Sequence, residues 1–508
     1  MNHRIIQAAA AVDFLIMTSL AAAFMSYALD DPYQGITSNS VIDIAFDGTG
    51  VWLGTGGGAS YSSDGGLTWL TFNGRSGLPS EQVSALGAGL HLGVPHVWVA
   101  TSHTEQVQGN SYPFGDGFVR TLNHGVSWDT IRYPQQGIGY GKLSYDIEVF
   151  RGHIFSACFY GGLIRSTNGG LAWENFYLNA NDSLDLFNEN YNNYTNRYFS
   201  VKIDTTELPD TISLWAGSAF GIIRYVFTNY GNTAVKQDTA WQLYFNANDT
   251  VPLDHRLPGN FVVSLGVNKI DTITYLWAAC RPGYGASGQD YAVAYSTDRG
   301  IHWTKPLNKP AWDFAFIGET TFVAFGDDRL SDRGYGLAIG IRDSLTGDYP
   351  NWTYVTSVID TSGRKRYFES PFYCIEIING EIWAGGADGV IKSGDLNAGW
   401  SVFRSELYAD DHYAYPSPFS PYSSTRRGST IHYKPVADAT VTINIYDFNL
   451  DLVRTLVASE SRAGGREYDI DVWDGRNGAG VIVANGVYFY NIEFSSGESW
   501  WGKVVVIK

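Results

Sequence analysis

The sequence predicts an all-β chain: a seven-bladed β-propeller followed by a small β-sandwich. Three observations carry that prediction. The 508 residues include 33 Tyr, 16 Trp and 57 Gly but only 17% charged residues, a composition that favours short strands and tight turns over helices. One eight-residue stretch returns four times, as SSDGGLTW (from Ser62), TLNHGVSW (from Thr121), STNGGLAW (from Ser166) and STDRGIHW (from Ser296). After Phe403 the texture changes, and a Pro-, Ser- and Tyr-rich stretch leads into a second run of strands.

The first element is MNHRIIQAAAAVDFLIMTSLAAAFMSYALDDP. Arg4 supplies a positive start, an apolar stretch follows, and Ser26 and Ala28 are small residues where a signal peptidase inspects the chain. Residues 1–28 are therefore expected to be a secretory signal, with an uncleaved anchor as the alternative. No later segment approaches the ~20 apolar residues that span a bilayer. No membrane span is expected once the signal is removed.

Seven passes of one unit follow, each an alternating strand, a strand with an aromatic before small residues, a Gly-led strand, a turn, and a strand opening near Trp. They run from Val41 to Asn73, Val83 to Tyr133, Tyr145 to Leu178, Phe199 to Phe245, Phe261 to Leu307, Trp312 to Thr356 and Phe372 to Phe403. Four short strands at this spacing are the signature of propeller blades, and residues 36–405 are assigned to a propeller. The fourth and sixth passes lack the eight-residue stretch.

That stretch has the pattern Ser/Thr-x-Asp/Asn-x-Gly-x-x-Trp. Its hydroxyls (Ser62, Ser166, Ser296) and acids or amides (Asp64, Asn123, Asn168, Asp298) can bond backbone N–H groups within a turn. Gly66, Gly125, Gly170 and Gly300 allow a positive φ, and Trp69, Trp128, Trp173 and Trp303 are large enough to fill the space between blades. These residues resemble the Asp-box, or BNR repeat, of the sialidase-like propeller superfamily. The resemblance implies a turn joining the third and fourth strands of a blade, a structural role. The first pass also resembles, over one or two blades, the sensor propellers of two-component regulators.

Residues 406–428, including YPSPFSP, read as a linker and leading strand. Residues 429–508 read as a small sandwich with turns at Asp474-Gly475, Asn477-Gly478 and Asn485-Gly486, and with Trp473, Tyr488 and Tyr490 in its core. The stretches IYDFNLDLVRTL, VWDGRNGAGVIVANGVYFY and KVVVIK resemble the FlgD-type Ig-like module, and YPSPFSP is similar to the start of type IX secretion sorting tails. The resemblance implies export and surface attachment, with the secretion machinery as a partner.

Function is constrained from several sides. A net charge of −17 disfavours nucleic acid and anionic membranes. Cys158, Cys280 and Cys374 sit in apolar runs with no metal spacing, so no disulfide framework, metal or cofactor is expected. The long insertions at 101–117, 179–197, 246–260, 281–290, 326–334 and 360–371 share one rim, the usual binding face of a repeat scaffold. Tyr112, Phe114, Asp116, Tyr191, Tyr194, Arg281, Tyr284, Asp290, Asp327 and Arg329 are the ligand-binding candidates there. Exposed Tyr among amides and acids suits a glycan or a surface protein. No nucleophile elbow, phosphate loop or His pair is found. The expectation is a secreted or cell-surface binding protein without catalytic residues. A sialidase-like glycoside hydrolase at the same rim and a structural envelope component are the alternatives.

Overall fold

The computed structural model describes residues 35–107, 110–131, 143–159, 162–176, 197–208, 211–228, 236–244, 252, 255–283, 288–325, 327–328, 331–334, 336–360, 365–367, 371–396, 399–405, 412–422 and 428–508. The signal assigned to residues 1–28 lies outside them. Among the described residues no helix is long and apolar enough to cross a membrane. The chain divides into two compact units, residues 1–405 and 406–508.

The first unit is a propeller-like all-β fold. Its described residues form seven four-stranded antiparallel sheets, here sheets 1 to 7, spanning 41–72, 82–131, 144–176, 198–244, 261–307, 311–355 and 372–403. Within each, strands pair in chain order, as short connections between antiparallel neighbours require. The first strands lie innermost: each packs on the first strands of the sheets before and after it, and that of sheet 7 returns to that of sheet 1.

The second strands are buried on both faces and carry the largest core residues, Trp52, Trp98, Trp215, Trp277 and Trp383. An aromatic from the following sheet covers each. Trp128 meets Trp52 edge-on, Trp173 meets Trp98, and Trp69 meets Trp383 across the closure, at centroid distances of 6.0, 5.6 and 6.4 Å. Trp303 shares a core cluster with Trp215. Sheet 6 lacks the repeated turn, and there Tyr349 and Trp352 cover Trp277 instead.

The four repeated turns have one hydrogen-bond figure. Ser62 Oγ donates to Asp64 Oδ1 (2.8 Å) and accepts from Gly66 N (2.7 Å), while Asp64 Oδ1 accepts from Thr68 N (2.9 Å). The same three bonds recur at Thr121–Asn123–Gly125 with Ser127, at Ser166–Asn168–Gly170 with Ala172, and at Ser296–Asp298–Gly300 with His302. The glycine at the fifth position of each stretch, Gly66, Gly125, Gly170 or Gly300, has φ between 84 and 93°.

One expectation of a loop needs correction. Residues 101–117 are mostly a β-ribbon, because the second and third strands of sheet 2 keep pairing from His103↔Phe114 to Val107↔Asn110 after the flanking first and fourth strands stop. Continuing the ladder satisfies backbone groups that a loop would leave to water. The insertion at 326–334 likewise contains a pair, Asp327↔Gly334, and part of that at 360–371 pairs with the strand before it, as Ile359↔Lys365.

The second unit has a three-stranded sheet (His412–Tyr415, Ser429–Tyr433, Tyr468–Trp473) and a four-stranded sheet ordered Leu452–Arg462, Ala439–Tyr446, Gly486–Phe494, Ser499–Val506. Both contribute to one core containing Ile431, Tyr433, Ile443, Trp473, Tyr490 and Val504. A buried polar link joins them: Arg462 donates to Tyr433 Oη (2.8 Å) and to Asp471 (3.2 Å), and Tyr433 Oη donates to Asp471 (2.8 Å). Arg462 also donates to Glu460 (2.8 Å) and to Ser461 O (3.3 Å), so each nitrogen of the buried guanidinium has an acceptor, as burial of a charge requires.

Candidate functional site

The innermost strands enclose a cavity of about 410 Å³ in the middle of the first unit. Its wall is built from one local irregularity repeated seven times. The pairing of each first strand with its second skips one residue near its start: Ile42, Ser84, Tyr145, Phe199, Val263, Trp312 and Tyr373. Such bulges re-aim side chains, and all seven of these residues line the cavity.

Four of them are aromatic and make a collar at one mouth. Tyr145 and Phe199 are 5.5 Å apart, and Trp312 and Tyr373 meet edge-on at 5.9 Å. Arg281 stacks over Trp312 with Cζ 3.8 Å from the ring centroid, close for a cation–π pair. First strands begin where second strands end, as Phe261↔Arg281 pairing illustrates. The collar therefore belongs to the rim that carries the long insertions.

The residue after each bulge is Asp43, Ala85, Asp146, Ser200, Ser264, Asp313 or Cys374. The three aspartates bridge to the next sheet. Asp43 accepts from Leu86 N (2.8 Å), Asp146 from Val201 N (2.8 Å) and Asp313 from Ile375 N (2.9 Å). Burial raises all three pKa values, to about 7 for Asp146 and about 6 for Asp313, against the opposing effect of those N–H bonds.

Two residues further on, four sheets have only Ala45, Gly87, Gly266 and Ala315, and three have Glu148, Lys202 and Glu376. The three charged residues line the cavity. Lys202 Nζ lies 3.3 Å from Glu148, which holds the ammonium protonated. Glu376 is open to water yet ringed by protein, and burial pushes its pKa to about 7 although Lys202 opposes the rise. The arrangement thus combines a lysine–carboxyl contact and a second carboxyl that keeps its proton into the neutral range.

Of the predicted ligand residues whose side chains are described, Phe114, Asp116, Arg281 and Asp290, only one lies at this cavity. Arg281 reaches the collar. Phe114 and Asp116 sit on the ribbon of sheet 2, where Phe114 stacks on His103 at 5.8 Å. His103 lies between Glu105 (2.9 Å) and Asp116 (2.8 Å), and these bonds raise its pKa, the Glu105 bond most. Asp290 pairs with Lys305 at 2.8 Å. Tyr112 and Asp327 occupy strands but their side chains lie outside the described part, as do Tyr191, Tyr194, Tyr284 and Arg329 altogether. Among the described residues no group of three or more His, Cys, Asp or Glu is arranged to hold a metal.

No family model and no curated protein matches the chain. Solved structures do match it. A GH74 enzyme from Niastella koreensis aligns over 94% of this chain and 74% of its own, with 14% identity and a TM-score of 0.52. An ancestral GH74 enzyme aligns over 74% of this chain and 49% of its own, at 17% identity and TM-score 0.47. YCF48 from Cyanidioschyzon merolae aligns over 75% of this chain and 98% of its own, at 14% identity and TM-score 0.41. At these identities the likeness is one of fold.

Proposed function

We propose that the first unit is a seven-bladed propeller of a secreted, cell-surface protein, and that it binds a glycan or a protein partner at the collared mouth of its central channel. The observation that supports this reading is the collar itself. Tyr145, Phe199, Trp312 and Tyr373 come from four separate blades, and all arrive at the mouth through the same bulge. Aromatic faces beside polar and charged groups suit sugar rings and polar peptide alike. The four repeated turns are, on this reading, Asp-boxes on the opposite rim with a purely structural role. The second unit is proposed as an Ig-like module for export or surface attachment through the secretion machinery.

The test is a panel of polysaccharides and sialosides incubated with the full chain, with retained ligand and newly formed reducing ends both recorded. Retention without release is expected. Trp312→Ala should weaken it about tenfold, the upper end of what one aromatic contact contributes. Retention unchanged in Trp312→Ala and Tyr373→Ala would move the binding site away from the channel. No retention at all would shift the weight to a protein partner.

A second reading, glycoside hydrolysis at the same mouth, is favoured by one observation. Glu148 lies 3.3 Å from the Lys202 ammonium, while Glu376 keeps its proton to about pH 7, and hydrolases use two carboxyl groups placed in unlike environments. Release of reducing ends that stops in both Glu148→Gln and Glu376→Gln would replace the binding assignment with this one.

A further inference from the structure

The channel behind the collar is lined by an excess of acid. Among the described residues five carboxyl groups line it, those of Asp43, Asp146, Glu148, Asp313 and Glu376, against the one ammonium of Lys202. The three aspartates are engaged by backbone N–H groups of the next sheet, and Lys202 is in contact with Glu148. Glu376 is left over. It is exposed to the channel, and among the described residues it makes no ion pair.

Its place in the ring gives Glu376 room. Glu148 and Lys202 belong to sheets 3 and 4, and Glu376 to sheet 7. On one side sheets 1 and 2 lie between them, with Ala45 and Gly87 at the same level of the first strand; on the other lie sheets 5 and 6, with Gly266 and Ala315. Small residues on both sides leave space between Glu376 and the Glu148–Lys202 contact. The charges act on one another across it. Burial raises the pKa of Glu376 to about 7, Lys202 opposes the rise, and Asp313 and Glu148 add to it. Two further lining residues have polar atoms without a hydrogen-bond partner, Ser84 Oγ and Trp312 Nε1, and a hydroxyl-rich ligand can satisfy both.

Resting on the binding reading given above, we propose that the channel selects a cationic glycan, a linear chain of amino sugars with free ammonium groups, and that Glu376 receives the ammonium. An added positive charge meets an excess of carboxyl groups there. An anionic sugar would meet repulsion, and the lysine that could draw it in is already in contact with Glu148. The collar offers ring faces for stacking a sugar, and such faces also attract a cation. Tyr373 and Glu376 are three residues apart on one strand, about 10 Å. That is farther than one sugar ring reaches, so one ring sits in the collar and the next brings its ammonium to Glu376. A lysine side chain is the rival source of an ammonium. Behind the collar, however, the wall is mainly polar, which suits sugar hydroxyls better than an aliphatic stem.

The test is calorimetric binding of a glucosamine hexamer to the full chain at about pH 6.5, where such amines carry their proton, beside the fully N-acetylated hexamer and hexalysine. The glucosamine hexamer is expected to bind roughly tenfold more tightly than its acetylated twin, the contribution of one charge contact. With a pKa of about 7, Glu376 is roughly three-quarters protonated at that pH. Seating the ammonium should therefore release about half a proton, read from titrations in two buffers of different ionisation heat. Glu376→Gln should abolish both the preference and the release, and Trp312→Ala should weaken binding of the hexamer. Equal binding of the two hexamers, each weakened in Trp312→Ala, overturns the cationic preference and leaves the channel site standing. Tight binding of the glucosamine hexamer that neither variant changes places it on the acidic outer surface and overturns both. Hexalysine binding with the same proton release overturns the glycan in favour of a protein partner. No binding of the glucosamine hexamer overturns the proposal, while the channel reading stands or falls by the polysaccharide panel.

Discussion

Glu376 shows how position alone sets the chemistry of a carboxyl group. Its pKa is raised to about 7 and that of Asp146 to about 7, each chiefly by burial. The folded protein therefore binds more protons than the unfolded chain between about pH 4 and 7. Stability from these groups is present at the acid end and falls as pH rises through that window. Glu376→Gln is expected to raise the melting temperature at pH 7.5 and to flatten its rise toward pH 5; calorimetry at both pH values checks this. The neighbouring aspartates are a different case. Removing Asp146 leaves the buried Val201 N–H without its acceptor, so Asp146→Ala should cost about 1–3 kcal/mol in chemical denaturation.

At the scale of one element, the repeated turn separates two glycines that sequence treats alike. Gly169 and Gly170 both have positive φ, 67 and 88°. A Cβ on Gly170 would lie 2.1 Å from Trp98 Cη2 in the preceding sheet, whereas on Gly169 its nearest neighbour would be Arg120 Nη1 at 3.7 Å. Gly169→Ala should therefore cost about 1 kcal/mol, the backbone penalty alone. Gly170→Ala adds overpacking and should cost about 2–4 kcal/mol, measured by urea unfolding of each variant. The turn was legible in the sequence because its bonding partners lie within seven residues of one another. The channel wall was less so. VIDIAF, SYDIEVF and AWDFAFI do repeat an aspartate at one position of the first strand, and that repeat is the signal that points to it. Tyr145, Phe199, Trp312 and Tyr373 look like ordinary core aromatics until the bulge before each post-bulge residue turns them toward the axis.

Closure of the ring belongs to the whole molecule, because it joins residues more than 300 positions apart. Both ends of the first unit complete separate sheets: Val41–Phe46 is the inner strand of sheet 1 and Ser401–Phe403 the outer strand of sheet 7. Among the described residues no strand is exchanged between them, so side chains and a few backbone contacts hold the junction. Trp69 packs on Trp383 and Phe403, and Lys392 Nζ donates to Gly65 O at 3.3 Å. Asn39 reaches twice across: its carbonyl accepts from Gly389 N (2.7 Å), and its Oδ1 accepts from Ser405 N (2.7 Å) and Ser405 Oγ (3.2 Å). Asn39→Ala removes the side-chain half of this clasp, about 1–2 kcal/mol for two hydrogen bonds. Because the loss falls on one junction of a ring, it should show first as local opening rather than as uniform loosening. Hydrogen exchange is expected to accelerate in 389–405 and 41–55, with sheets 3 to 5 unchanged. Equal acceleration in all seven sheets would mean that the ring opens only as a unit, and that its closure is no weaker than any other junction.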